Sequence, residues 1–145
     1  MKIPPGIKIY GDTSFRDKKC RKEEAEQKEY FGWLEEKRPS LYAIAIHPKN
    51  EGKRSNQQIS KDRAAGSLNT GASDIIIPAI LPFICEVKRK DHKLSSISDD
   101  QVDYLLSAEK SGAFVCIALG CAAAIEATLA WEVLRKELID KITCR

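Results

Sequence analysis

The sequence predicts an α/β domain with a central mixed β-sheet, and three observations point to this fold class. Two apolar segments, "SDIIIPA" and "PFICEVKR", are joined by a short turn and are typical of paired strands. The continuous apolar run "AFVCIALG" is typical of a buried strand. Segments with helical patterns lie before, between and after these strands, so helices are expected to flank the sheet.

The first half of the chain supplies the outer elements of this prediction. Residues 1–19 carry Pro and Gly and are predicted to form a loop or arm. A helix is predicted from 20 to about 37, because Pro39 would end it. A strand is predicted over 41–48. The polar segment 50–71 is predicted to be a loop followed by a short helix that ends near Gly66 or Gly71.

The second half of the chain holds the two helices that follow the paired strands. Ser98 precedes Gln101 by three positions, which is the spacing of a capping box. A helix is therefore predicted to begin here and to end at Gly112. After the buried strand, a last helix is predicted from Cys121 to about Ile139. The predicted order is α–β–(α)–β–β–α–β–α, without an internal repeat.

The composition is that of a globular domain and not of a disordered or membrane-spanning chain. Of 145 residues, 43% are hydrophobic and 31% are charged, which predicts a single domain, 1–145, with its core in 20–145. The net charge of +3 permits a polyanionic partner without requiring one. We expect no membrane association, because no apolar stretch is long enough to span a bilayer and none resembles a signal peptide. Five cysteines without a C-x-x-C pair indicate reduced thiols in an intracellular protein.

Two acidic residues are expected to face each other across the predicted hairpin. Pro78 and Pro82 lie symmetrically about Ile80, so residues whose numbers add up to 160 should be opposed. Asp74 and Glu86 meet this condition, and opposed side chains in an antiparallel pair have Cβ atoms about 5 Å apart. Carboxylates that close repel each other unless a proton or a cation lies between them.

This acidic pair has a metal-dependent interpretation and a purely structural one. Carboxylates suit Mg²⁺, which takes one or two of them and keeps waters for a phosphate substrate. Lys88 points to the same side of its strand as Glu86. It could therefore orient or deprotonate a metal-bound water, or stabilise charge on the phosphate. Alternatively, the E-x-K segment is a charged pair that protects a sheet edge.

Five short motifs follow one another between residues 23 and 120. They are Glu24-x-x-Gln27, Asn50-Glu51-Gly52, Gly71-x-x-Asp74, Glu86-Val-Lys88 and the serine-rich approach "SSISDDQ" to Gln101. In this order and approximate spacing they resemble the virus-type replication–repair nuclease (VRR-NUC) family of the PD-(D/E)XK superfamily. Ser73 departs from the superfamily pattern, which has proline there. That position shapes the backbone and binds no metal.

The resemblance implies a restriction-endonuclease-like (PD-(D/E)XK) fold and assigns roles to four residues of the acidic hairpin. Asp74 and Glu86 would be metal ligands, and the backbone carbonyl of Val87 is a possible third. Lys88 would be the catalytic lysine.

The resemblance also implies roles for two helical residues, each with a structural alternative. Glu24 would be a further acid at the metal site, directly or through water, but a residue in a run of acids is often simply solvated. Gln101 would lie beside the E-x-K strand and help to position the catalytic site, or it would be only the capping partner of Ser98.

Several polar and basic residues near these motifs are predicted to contact nucleic-acid phosphates. They are Asn50, Lys53, Arg54, Lys61, Arg89 and Lys90. The segment around Asn50 could equally be a plain polar loop. No zinc-finger, RNP or helix-turn-helix pattern is present, which favours recognition of DNA shape over base sequence.

These features predict a Mg²⁺- or Mn²⁺-dependent endonuclease that hydrolyses phosphodiester bonds in branched or otherwise structured DNA. A homodimer is expected, because a domain this small offers limited surface around its cleft. The resemblance points to stand-alone phage or bacterial members with junction-resolving activity, and so to the cytoplasm of a bacterial or phage-infected cell. Two alternatives stay open: a non-catalytic nucleic-acid-binding module of the same fold, and a sequence-specific restriction-type nuclease.

Overall fold

The computed structural model describes residues 1–48, 56–64 and 71–144. Within these ranges the strands are β1 (Ile9–Tyr10), β2 (Ile75–Ile77), β3 (Phe83–Lys88) and β4 (Phe114–Leu119). The helices are α1 (Glu23–Lys37), α2 (Pro39–Tyr42), α3 (Asn56–Ala64), α4 (Asp99–Lys110) and α5 (Cys121–Thr143). A short 3₁₀ turn covers His92–Leu94.

The strands of the described ranges form one mixed sheet in the order β1–β4–β3–β2. β3 and β4 run parallel and are connected through α4, as a parallel pair requires a crossover. β1 joins β4 in parallel, whereas β2 returns antiparallel beside β3. The prediction of an α/β fold with a central mixed sheet is therefore confirmed.

The register of the β2–β3 hairpin is the predicted one. Ile75 pairs with Cys85, and Ile77 pairs with Phe83, so the numbers of opposed residues add up to 160. The same register, continued by one residue, places Asp74 opposite Glu86. The acidic pair thus lies at the open end of the hairpin, away from its turn.

One face of β3 packs against α1 and α5. Phe83, Cys85 and Val87 point to this side and belong to the larger apolar core. That core also contains Tyr30 of α1 and Trp131 of α5, both fully buried. This is the most densely apolar part of the described chain, and it fixes the position of β3.

The opposite face of β3 is covered by α4. Ile84 packs there with Leu105, a fully buried residue of α4. Because side chains alternate along a strand, Glu86 and Lys88 share this face with Ile84. The acid and the lysine of the E-x-K segment therefore lie between the sheet and α4.

The predicted strand over 41–48 is wrong. α2 occupies Pro39–Tyr42, and within 41–48 only Ile46 forms a β-bridge, to Ile76. Pro39 is well placed at the start of α2, because its missing N–H would have no helical partner there. Ile46 is 49% exposed, so this apolar segment has no buried face of the kind that a strand in the sheet would need.

A short strand, β1, lies inside the segment that was predicted to be a loop or arm. It pairs with the C-terminal half of β4. Gly11 follows β1 with φ +106°, and a Cβ at this position would lie 2.8 Å from the Cβ of Leu119. A glycine is therefore required where the arm leaves the sheet.

The other helices have the predicted bounds to within a few residues. α1 begins at Glu23 instead of 20, and α5 extends to Thr143, beyond the predicted end near Ile139. α3 is the short helix expected in the polar segment, and α4 begins directly after Ser98. None of the described helices is long and apolar enough to cross a membrane.

Candidate active site

Glu86 lies at the centre of a buried polar cluster on the α4 face of the sheet. Its side chain is only 1% exposed, and its Oε1 lies 2.9 Å from the Nζ of Lys88, which is 3% exposed. The same Oε1 accepts a hydrogen bond of 2.6 Å from the Nε2 of Gln101. Oε2 is buried and has no hydrogen-bond partner among the described residues. One carboxylate oxygen is therefore held by two donors, while the other has none within this part of the chain.

Gln101 reaches Glu86 because the capping box of α4 fixes its position. Ser98 Oγ accepts from the backbone N–H of Gln101 at 3.2 Å, and Gln101 Oε1 accepts from the N–H of Ser98 at 3.0 Å. The amide of Gln101 thus uses its oxygen for the cap and its nitrogen for Glu86. Both interpretations of Gln101 from the sequence describe contacts that are present.

Asp74 is held at the open end of the hairpin by its side chain and its backbone. It is 8% exposed, and its Oδ2 accepts a hydrogen bond of 2.9 Å from the N–H of Val87. On the other side, Nδ1 of His47 lies 2.6 Å from the carbonyl oxygen of Asp74. Since the N–H and C=O of an extended residue point to the same side, the carbonyl of Val87 also faces the edge where Asp74 lies.

The charges in this cluster are strongly coupled. Burial, followed by the charge of Asp74, raises the pKa of Glu86 to about 8, despite the opposing effect of Lys88. Burial lowers the pKa of Lys88, but the charges of Glu86 and Glu23 outweigh it and raise the pKa overall. Lys88 is therefore an ammonium group at neutral pH, and its charge opposes the rise in the pKa of Glu86 without cancelling it.

Glu23 of α1 acts on this cluster through its charge. It lies on one helical stripe with Gln27 and Tyr30, which face the core, and its charge raises the pKa of both Glu86 and Lys88. Glu24 lies next to this stripe, because a helix turns by about 100° between neighbouring residues, and it is exposed. The assignment of Glu24 to the metal site stays a prediction.

The residues of this cluster fit a hard divalent cation. Among the described residues, no group of three or more His, Cys, Asp or Glu side chains is arranged to hold a metal ion. Mg²⁺ needs only one or two protein carboxylates, because it keeps several waters and binds substrate phosphates. The unpartnered Oε2 of Glu86 is an oxygen that such an ion would take up. Asp74 and Glu86, with the Val87 carbonyl, form a donor set suited to Mg²⁺ or Mn²⁺.

The residues predicted to bind nucleic acid fall into three groups. Asn50, Lys53 and Arg54 lie outside the described residues. Lys61 of α3 and Lys90 are exposed. Arg89 is turned inward instead, because its Nη2 donates a hydrogen bond of 2.5 Å to the carbonyl oxygen of Cys20 and its Nε is buried.

Sequence reasoning missed Glu23, and it did not identify the carbonyl of Asp74 as the partner of His47. Glu23 could have been found from periodicity, because it precedes Gln27 by four residues and Tyr30 by seven, on the core-facing stripe. The contact of His47 with Asp74 depends on the bridge between Ile46 and Ile76. No pattern in the sequence near Ile46 predicts that bridge.

A mixed sheet with a β2–β3 hairpin, a parallel β3–β4 pair and helices on both faces defines the restriction-endonuclease-like fold. A solved structure named "VRR_NUC domain protein" is similar over 78% of this chain and 89% of its own, with a TM-score of 0.62. The sequence identity is 16%, so this likeness shows the fold alone. No protein-family model matches the chain, and no curated protein matches it.

Proposed function

We propose that this protein is a Mg²⁺- or Mn²⁺-dependent nuclease that hydrolyses phosphodiester bonds in DNA. One observation carries the proposal: Lys88 and Gln101 hold one oxygen of Glu86, while its other oxygen is buried without a hydrogen-bond partner among the described residues. A purely edge-protecting charged pair would be solvated and would not need this support. The name of the similar structure, "VRR_NUC domain protein", agrees with the proposal.

Each residue of the cluster has a separate role in the proposed hydrolysis of phosphodiester bonds. Asp74, Glu86 and the Val87 carbonyl would hold the ion, which when bound polarises the phosphate and lowers the pKa of water. Lys88 presents a buried ammonium group that stabilises negative charge developing on the phosphate. Gln101 holds Oε1 of Glu86, so that Oε2 would be available to the ion.

The proposed substrate is branched or otherwise structured DNA, and the proposed assembly is a homodimer. A two-fold dimer would place two cleavage sites on a substrate that has two or more duplex arms. α5 offers a surface for the second copy, because it exposes two large apolar side chains one turn apart on the same face. They are Leu129 and Val133, 44% and 59% exposed. Replacing both with lysine should convert a dimer to a monomer in analytical ultracentrifugation.

The activity is tested with purified protein on four-way, flap, single-stranded and linear DNA, with Mg²⁺, Mn²⁺ or EDTA and with mapped cut sites. We expect cleavage with either ion, none in EDTA and the fastest cleavage on a branched substrate. Robust cleavage in EDTA would contradict the metal-dependent mechanism. DNA binding without cleavage under any condition would favour the non-catalytic module, and cutting at one linear sequence would favour the restriction-type nuclease.

A further inference from the structure

Two basic segments lie against each other beside the candidate active site. In the arm, residues 16–22 contain five Lys or Arg residues and one acid. After β3, residues 89–93 read "RKDHK", with three Lys or Arg residues and one acid. The two segments are far apart in sequence, and three contacts bring them together.

The contacts between these segments do not involve the side chains of the lysines. Arg89 donates to the carbonyl oxygen of Cys20 at 2.5 Å. The buried Oδ2 of Asp91 accepts from the backbone N–H of Asp17 at 3.0 Å, and its Oδ1 lies 3.9 Å from Nη1 of Arg16. Arg89 and Asp91 therefore act as a clamp that holds the arm in place.

The clamped surface carries cations without partners of their own. Lys18, Lys19 and Lys22 are exposed, and within the described part of the chain none of them forms an ion pair. Lys90 and Lys93 are also exposed, and neither forms an ion pair with a described residue. By contrast, the neighbouring Arg21 is paired with Glu26.

The residues of this surface are adjacent in sequence to residues of the polar cluster. Lys22 directly precedes Glu23, whose charge acts on Glu86 and Lys88. Arg89 directly follows Lys88. A polyanion bound at Lys88 would therefore meet the clamped lysines as it left the site.

We infer that the arm residues 16–22, held by Arg89 and Asp91, form a phosphate-binding surface that carries the DNA backbone past the active site. The identity of the ligand rests on the proposed function. Lysine ammonium groups bind phosphates without reading bases, and each phosphate neutralised adds to the salt dependence of binding. Arg89 has a positioning role here, and the contacts to phosphate come from Lys18, Lys19 and Lys22.

The inference is tested by DNA binding in a Glu86→Gln background, so that turnover plays no part. Lys18, Lys19 and Lys22 are changed together to Gln, and affinity for a labelled duplex is measured across a salt series. We expect affinity to fall tenfold or more at low salt, and the slope of log K against log salt to lose roughly 2–3 units, about 0.9 per phosphate contact.

A matched control removes the same charge from another part of the surface. Lys110, Lys136 and Lys141 are exposed on α4 and α5, and their combined change to Gln should leave affinity and slope close to the starting values. An equal loss in both variants would mean that only net charge matters, and would overturn the inference. Retained affinity in the arm variant would overturn it too.

A double-mutant cycle tests the positioning role of Arg89. Arg89→Met alone should weaken binding, because it releases the arm, and it should have little further effect once the three arm lysines are neutral. Strictly additive effects would mean that Arg89 contacts phosphate itself, and would overturn the clamp. A matching near-UV spectrum and melting temperature in each variant exclude general misfolding.

The outcomes separate this inference from the proposed function. If the arm variant binds DNA weakly but the unchanged protein never cleaves with Mg²⁺, the surface stands and the nuclease proposal fails. If the unchanged protein cleaves but the arm variant binds normally, the nuclease proposal stands and the surface fails.

Discussion

Asp74 directly precedes β2, and the register of the β2–β3 ladder, continued by one residue, places it opposite Glu86. Glu86 lies on the face of the sheet that α4 covers. Burial and the charge of Asp74 together raise the pKa of Glu86 to about 8. Lys88 opposes this rise without cancelling it. A divalent cation bound by Asp74 and Glu86 would favour the charged forms of both carboxyl groups.

Mg²⁺ binding should stabilise the folded protein through Asp74. At an ion concentration of 100 times the dissociation constant, a single site adds about 2.7 kcal/mol to the free energy of unfolding. We expect a rise of several degrees in melting temperature with Mg²⁺, and no such rise in Asp74→Asn, as measured by calorimetry. Asp103→Asn, a change of an exposed acid on α4, is the control and should keep the full response.

Two substitutions of Gln101 separate the effects of its hydrogen bonds to Ser98 and to Glu86. Gln101→Glu keeps an oxygen that can accept from the N–H of Ser98, but it replaces the donor to Glu86 with a like charge. It should keep the cap of α4 and cleave roughly 10–100 times more slowly, the usual cost of losing a residue that orients a metal ligand.

Gln101→Met removes both contacts, so it should also lose about 0.5–2 kcal/mol of stability. Urea unfolding and cleavage rates check the two effects independently. Normal cleavage by Gln101→Glu would show that the hydrogen bond to Glu86 has no part in catalysis.

Glu23 and Glu24 form a matched pair of neighbouring acids for a test of the α1 assignment. Glu23→Gln removes a charge that acts on Glu86 and Lys88, so it should weaken Mg²⁺ affinity and cleavage by roughly tenfold or more. Glu24→Gln makes the same chemical change at an exposed position and should leave Mg²⁺ affinity and cleavage nearly unchanged. A titration of cleavage rate against Mg²⁺ concentration compares the two variants. A larger loss in Glu24→Gln than in Glu23→Gln would support Glu24 as the acid at the metal site.

Glu26 should make stability depend on pH in the acid range. Burial by itself would raise its pKa, but hydrogen bonds from Arg21 and from the N–H of Cys121 lower the pKa below 4.5. The folded state thus binds this proton more weakly than the unfolded state. The stabilisation is present above about pH 4.5 and is lost as pH falls through the lower folded-state pKa.

Glu26→Gln should therefore cost roughly 1–3 kcal/mol at pH 7, and the difference from the unchanged protein should shrink below pH 4.5. Urea unfolding across pH measures this difference. Glu29→Gln is the control: Glu29 also contacts Arg21, but it is exposed, so its loss should change little. A difference for Glu26→Gln that did not vary with pH would contradict this account.

The hairpin and its acidic pair could be predicted from sequence because local rules determine them. Two prolines placed symmetrically about Ile80 defined the turn, and the register of a hairpin follows from its turn. The capping box at Ser98 was equally local, and it placed Gln101 at the right point of α4.

The parts that could not be predicted depend on contacts between distant segments. β1 exists because Ile9 and Tyr10 pair with β4, more than a hundred residues later. Arg89 was interpreted as a nucleic-acid contact, yet its guanidinium group binds the carbonyl of Cys20. In both cases the residue type and its neighbours in sequence are compatible with a surface position, and only the tertiary fold decides.

The most direct test of the central claim is the single-turnover rate of DNA cleavage by Lys88→Met in Mg²⁺, at saturating protein. Methionine keeps the apolar stem of lysine and removes only the ammonium group beside Glu86. We predict that the variant folds and binds DNA but cleaves at least about 100 times more slowly than the unchanged protein, as expected for loss of a catalytic charge. Cleavage by Lys88→Met at the unchanged rate would contradict the account and return the E-x-K segment to a structural role.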